Sequence, residues 1–177
     1  MKGTILPEPK LREGMSLKRA IEKRETSREF CGKQVGAQTL SNILYVAYGI
    51  SHGRHTIPTA RNMENLLVFV VKADGAWAYD PRNNSLEKVP GSEAAADIFR
   101  TQPFMDKCGV SVVFAGSDKT YSAMHAGSAY QNIGLYCASE GMSCVVRGMF
   151  EREDARKILR LPEDCFVIIS VAVGYSE

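Results

Sequence analysis

Apolar positions along this chain fall into two patterns, continuous runs and helical stripes. Leu66-Leu67-Val68-Phe69-Val70-Val71, Gly109 to Ala115 and Cys165 to Val173 are nearly unbroken apolar runs rich in β-branched residues, which predicts strands buried on both faces. Met142 to Val146 reads as a further strand. Ala76 to Tyr79 and Leu86 to Val89 flank Asp80-Pro81-Arg82-Asn83-Asn84-Ser85, whose turn residues predict a hairpin. The stripe Leu40, Ile43, Leu44, Ala47, Tyr48 predicts a helix from about Thr39 that stops at Gly49. Ser16 to Arg24 carries Leu17, Ala20, Ile21 and Arg24 at i, i+3, i+4 and i+7, a stripe expected to face the core, with Ser16 as its cap. Ser92 to Arg100 and the amphipathic stretch Glu151 to Leu159 are also predicted helical.

The segment Tyr121 to Glu140 is helical and apolar nearly all round, so it is expected to be a central helix covered on every side, in part by a second subunit. Residues 1–14 lack periodicity and predict an arm that wraps the domain or reaches a partner, while Ser51 to Asn65 reads as a loop. Strands and helices follow one another without regular βαβ alternation. The expectation is one domain over residues 1–177, of class α+β, with a mixed sheet flanked by helices.

Length and charge narrow the function. A chain of 177 residues suffices for one substantial core. Its net charge of +2, with acids and bases interspersed, gives no basic tract for nucleic acid, and no apolar run approaches a membrane span. The first residues lack a signal-peptide core. Five cysteines without a Cys-x-x-Cys pair mostly sit beside apolar runs, as buried free thiols do, which points to a reducing compartment, the cytoplasm. His52 and His55 have no acidic or thiol ligand near them in sequence, so no metal site is assigned.

The candidate chemistry lies in Arg24-Glu25-Thr26-Ser27-Arg28-Glu29-Phe30. Past the helix the chain reads as extended, so Arg24, Thr26 and Arg28 share one face. Two guanidinium forks and a hydroxyl make a cradle suited to a phosphate, unless the arginines merely pair with Glu25 or Glu29. No nucleophile-base-oxyanion set, Gly-x-Ser-x-Gly elbow, Walker loop or Gly-x-Gly-x-x-Gly is present. No catalytic side chain is assigned, and reactivity would have to come from a cofactor.

Taken together these residues resemble the nitroreductase-like flavoprotein family. Arg24 to Phe30 is similar to its Arg-x-Ser-x-Arg-x-Phe opening, and Pro58-Thr59-Ala60-Arg61-Asn62 to its Pro-Ser-x-x-Asn loop. Ala126-Gly127, Gln131-Asn132 and Gly141-Met142 resemble its central helix, Val146-Arg147-Gly148-Met149-Phe150 the segment beside the flavin ring, and Leu161-Pro162 with Val173-Gly174-Tyr175 its closing strand. Leu6-Pro7, Ala47-Tyr48-Gly49-Ile50 and Ala78-Tyr79-Asp80-Pro81 look most like the SagB-type branch.

The resemblance implies a nitroreductase-like fold and a homodimer, the central helix at the interface and FMN bound between subunits. Arg24 and Arg28 would hold the flavin phosphate and the pyrimidine edge, Thr26 would add a hydroxyl, and Glu25 would contribute its backbone. Pro58, Thr59, Ala60 and Asn62 would come from the other subunit, the alternative being a plain turn capped by Thr59. A backbone N–H of Gly148 or Met149, in the run Val146-Arg147-Gly148-Met149, would reach flavin N5. Gln131 would face the interface near the ring, or else be a buried, satisfied amide. The implied activity is NAD(P)H-dependent reduction of nitroaromatic or quinone-like acceptors by a ping-pong mechanism. Its rivals are a specialised SagB-like dehydrogenase of a peptide or small metabolite, and a non-catalytic interaction partner.

The sequence also departs from the family pattern. Where many relatives carry a basic tail after the last strand, this one reads Gly174-Tyr175-Ser176-Glu177, so the resemblance implies either a lower FMN affinity or compensation by Arg147 or Arg61. Ala60, Glu64 and Asn65 replace polar or proline residues frequent in the family loop.

Overall fold

The buried runs meet in a seven-stranded sheet. A computed structural model describes residues 3–11 and 13–176; Met1, Lys2 and Arg12 of the arm, and Glu177, lie outside the described residues. In chain order the strands are β1 (Thr4–Ile5), the ribbon β2 (Ile50–Ser51) and β3 (Arg54–His55), β4 (Leu66–Lys72), β5 (Gly75–Asp80), β6 (Ser85–Lys88), β7 (Val110–Gly116), β8 (Met142–Arg147) and β9 (Phe166–Tyr175). The helices are α1 (Leu17–Lys23), α2 (Ala37–Tyr48), α3 (Ala95–Phe99), α4 (Tyr121–Glu140) and α5 (Arg152–Ile158).

The sheet runs β1-β6-β5-β4-β7-β9-β8. It is mixed in strand order but not in direction, because each pairing is antiparallel. Alternation divides the core between two faces. Val68, Val70, Val112, Phe114, Val171 and Val173 pack with α2 and α4, whereas Phe69, Val71, Val113 and Ala115 pack with α3 and α5. A bulge opposite Phe114/Ala115 shifts the register of β9, and Val167 thereby turns to the α3/α5 face although Val171 does not.

The arm folds onto its own domain. Leu6 is buried, β1 pairs with β6, and Asn42 both accepts from the Lys10 N–H and donates to the Lys10 carbonyl. The predicted helix at 92–100 shortens to α3 because Ser92 Oγ accepts from the Ala76 N–H and donates to the Val89 carbonyl, fixing the chain as a turn there.

One expectation about a helix face changes. Of the α1 stripe only Ala20 is buried; Leu17 is 65% and Ile21 56% exposed. A helix of seven residues touches α4 through its smallest side chain and leaves the larger ones outside. Along α4 the chain covers one side, with His125, Ala126, Ala129, Ile133 and Cys137 buried, while Met124 stands 58% exposed. That helix ends at Gly141, whose left-handed φ of 66° turns the chain into β8.

Candidate functional site

The opening motif lies against the edge of the sheet. Past α1 the backbone is extended from Arg24 (φ −61°, ψ 115°), as the alternation argument required. The Ser27 N–H donates to the Cys144 carbonyl at 3.0 Å, and the Ser143 hydroxyl to Ser27 Oγ at 3.0 Å, so the segment is held beside β8, the terminal strand. Phe30 anchors it, buried with Met105, Cys108, Val145 and Ala172.

Among the described residues neither Arg24 nor Arg28 forms an ion pair, and Glu25 and Glu29 do not neutralise them. Arg24 is half-buried against α4, where a Cβ added at Gly134 would meet its Cγ at 3.4 Å. Arg28 is exposed, its guanidinium 5.9 Å from the Phe104 ring centroid. Glu25 and Thr26 lie exposed between them. The two side chains rest on different neighbours, Arg24 on α4 and Arg28 beside Phe104. Beneath Arg24 the Cys137 and Cys144 thiols are in contact. Hydrogen bonding from Cys137, helped by the Arg24 charge, draws the Cys144 thiol below the usual thiol range against the opposing effect of burial. The same contact and burial push Cys137 up.

At the end of β8, Val146, Gly148 and Met149 are exposed. Arg147 is not. It is 4% exposed, and its guanidinium donates to the Phe99 carbonyl, to Gln102 Oε1 at 2.7 Å and to the Met149 carbonyl at 3.3 Å. Burial lowers its pKa. The side chain is committed to the α3 face and is not free to serve a phosphate, which corrects the expectation that it supplies phosphate charge; its carbonyl accepts from Ser170 Oγ, so the whole residue is buried between exposed Val146 and Gly148. Arg61 is exposed, 5.7 Å from the Tyr121 ring centroid.

The loop Pro58 to Asn62 is a tight turn in which both Arg61 (φ 52°) and Asn62 (φ 55°) are left-handed, a strained state for two non-glycine residues in succession. Thr59 makes no capping bond. Thr59 and Asn62 line an open recess of about 640 Å³ with Thr56, Ile57 and Pro58. The Ala60 N–H points inward, donating to His125 Nε2 at 2.8 Å, so that amide is not available to a ligand. His125 Nδ1 lies 2.9 Å from Asn65 Oδ1. Gln131 is exposed on α4, not a buried amide.

The loop and the arginine segment meet α4 at different heights. Nine residues separate His125 from Gly134, about 13 Å along the helix at 1.5 Å per residue. One chain therefore presents two patches. An open groove of about 530 Å³ near the C-terminal half of α4 is lined by Leu11, Met15, Leu17, Tyr45, Leu135 and Tyr136, among others. Sequence reasoning missed His125, Gly134 and Phe104. A lone histidine in the buried stripe of α4 was the one readable signal.

An antiparallel sheet between helical layers places the chain in the α+β class. Residues 21–175 match the Nitroreductase family, and the chain belongs to it. The family consists of oxidoreductases that generally bind flavin. The chain is similar to a candidate nitroreductase of Methanocaldococcus jannaschii, 25% identical over 90% of this chain and 91% of that one. Among solved structures, a candidate nitroreductase of Ralstonia eutropha JMP134 superposes with a TM-score of 0.89 at 29% identity, over 98% of this chain and 89% of the other. A candidate NADH dehydrogenase/NAD(P)H nitroreductase of Parabacteroides distasonis shares the fold, with a TM-score of 0.68 at 17% identity over 92% and 88% of the two chains. Among the described residues no helix is long and apolar enough to cross a membrane.

Proposed function

We propose that the chain is an FMN-dependent oxidoreductase that takes reducing equivalents from NADH or NADPH and passes them to a small electrophile, nitroaromatic or quinone-like, in a ping-pong cycle. The observation that carries this reading is the pair of guanidiniums, Arg24 and Arg28, without acidic partners among the described residues, on the segment that lies along β8, at whose end Val146, Gly148 and Met149 are exposed. These groups fit an anionic flavin: unneutralised forks at the sheet edge suit a phosphate or an electron-rich ring edge, and Gly134 leaves room for the Arg24 stem. FMN bound there would supply the hydride chemistry. The protein's part is to hold and polarise. Arg24 and Arg28 bind negative charge, Thr26 adds a hydroxyl, and the N–H of Gly148 or Met149 orients the ring. No side-chain acid or base is assigned.

The separation of the two patches along α4 supports a homodimer in which Pro58, Thr59 and Asn62 of one copy complete the cradle of the other. Leu17, Ile21 and Met124, exposed in one chain, would then be covered. Gln131, exposed on the same helix, would lie near the ring.

The deciding experiment is the visible absorption spectrum of the purified protein, repeated after FMN is added and the excess removed. Flavin bands that bleach anaerobically with NAD(P)H support the reading. A protein that stays colourless and retains no FMN overturns it in favour of a non-catalytic partner. Flavin retention without turnover of nitroarenes or quinones would instead favour a specialised dehydrogenase. Sedimentation at micromolar concentration tests the dimer, and a flavin-loaded monomer would refute the shared site.

A further inference from the structure

The loop Pro58 to Asn62 is held by one buried side chain. His125 projects from the first half of α4 and is 2% exposed. Its Nε2 lies 2.8 Å from the Ala60 backbone nitrogen, which can only donate, so Nε2 must carry a lone pair. The proton of the neutral ring is then on Nδ1, where it is donated to Asn65 Oδ1 at 2.9 Å. Two left-handed residues, Arg61 and Asn62, follow directly after the gripped amide. Strain of that kind persists only where neighbours over-determine the backbone, and the described loop has no side-chain cap of its own.

We infer that His125 is a positioning residue, whose neutral Nδ1–H imidazole fixes the Pro58–Asn62 turn so that Thr59 and Asn62 face outward to the cofactor. The inference rests on the reading of that loop as part of the flavin site. His125 touches no reacting atom. It acts by taking the Ala60 N–H inward, so that Thr59 and Asn62 on either side turn out to the recess they line with Pro58. Protonation of the ring would replace the Nε2 lone pair with a second donor facing a donor. The charged and titratable groups around it are Asp118, which precedes α4 and favours the imidazolium, and His55 of β3, which opposes it. Tyr121 and Arg61 stack on each other beside the loop.

The test uses the full chain, with and without added FMN, and two variants. In wild-type protein the imidazole nitrogen resonances of His125 should report a protonated Nδ1 and a bare Nε2, and the Ala60 amide should exchange slowly. His125→Leu removes the acceptor and should speed Ala60 exchange and weaken FMN binding, each by about tenfold or more, the cost of a buried donor left unpaired. His125→Gln presents a carbonyl to the same amide and should restore most of both. A proton on Nε2, or wild-type Ala60 exchange in both variants, would overturn the inference. So would FMN affinity unchanged in His125→Leu despite faster exchange. If exchange in the sheet also rises in His125→Leu, the substitution has damaged the fold, and the glutamine variant with the wild-type nitrogen signals decides. A wild-type protein that holds no FMN sinks the flavin reading, while the exchange and nitrogen measurements still report whether His125 holds the loop.

Discussion

Arg24 lies against Gly134 so closely that a methyl group added there would touch its Cγ at 3.4 Å. The absent side chain at Gly134 leaves α4 room for the Arg24 stem. Gly134→Ala should be tolerated, since the added carbon makes ordinary contact, and should raise stability by about 0.5–1 kcal/mol through helix propensity. Gly134→Leu should displace the arginine and reduce FMN retention severalfold. Thermal melting and flavin fluorescence on both variants separate the two effects.

Arg24→Ala and Arg28→Ala should each weaken FMN binding by roughly tenfold to a hundredfold, the worth of a charge-assisted hydrogen bond of about 1.5–3 kcal/mol. Stability without flavin should hardly change, because among the described residues neither arginine has an acidic partner to lose. Wild-type protein should gain melting temperature with added FMN, and the variants should gain less. Equal FMN shifts in all three would remove the arginines from the site.

Arg147 should behave in the opposite way. Its removal leaves the Phe99 carbonyl and Gln102 without their buried donor, so Arg147→Leu should destabilise the protein by about 2–4 kcal/mol even without flavin. Denaturant unfolding of the flavin-free protein checks this. A variant as stable as wild type would mean that the guanidinium does not hold the 99–104 segment to β8.

Much of this arrangement could be read from the chain, and the failures have physical causes. The runs at 66–71, 109–115 and 165–173 became β4, β7 and β9 because strands packed on both faces need apolar residues throughout. The bounds of α4 at Tyr121 and Glu140 follow from a long apolar segment closed by Gly141. The ribbon at 50–55 and the turn at 103–107 were not legible. The latter is closed by Arg100, which donates to the Met105 and Cys108 carbonyls, a tertiary contact that no local pattern announces. The α1 stripe misled because apolar spacing shows which residues share a face but not what covers it. For Arg147 the needed rule was available. It lies two residues from Val145 on β8, so the two share a face, and Val145 faces the cluster of Phe30 and Met105.

His125 makes stability depend on pH. Burial lowers the His125 pKa, with the His55 charge acting in the same direction and Asp118 opposing. The folded state thus prefers the neutral ring more strongly than the unfolded chain does, so below the unfolded value of about 6.5 the unfolded state binds more protons. The contribution of this group is complete above that value and is lost as pH falls through the lower folded pKa. Wild-type melting temperature should therefore fall between neutral and mildly acidic pH by more than that of His125→Gln, which has no proton to gain. Carboxylates titrate in both proteins and cancel in the difference. Melting curves at matched ionic strength from neutral pH downward measure it, and a wild-type-minus-variant difference that stays flat with pH would show that His125 is not held as the neutral ring.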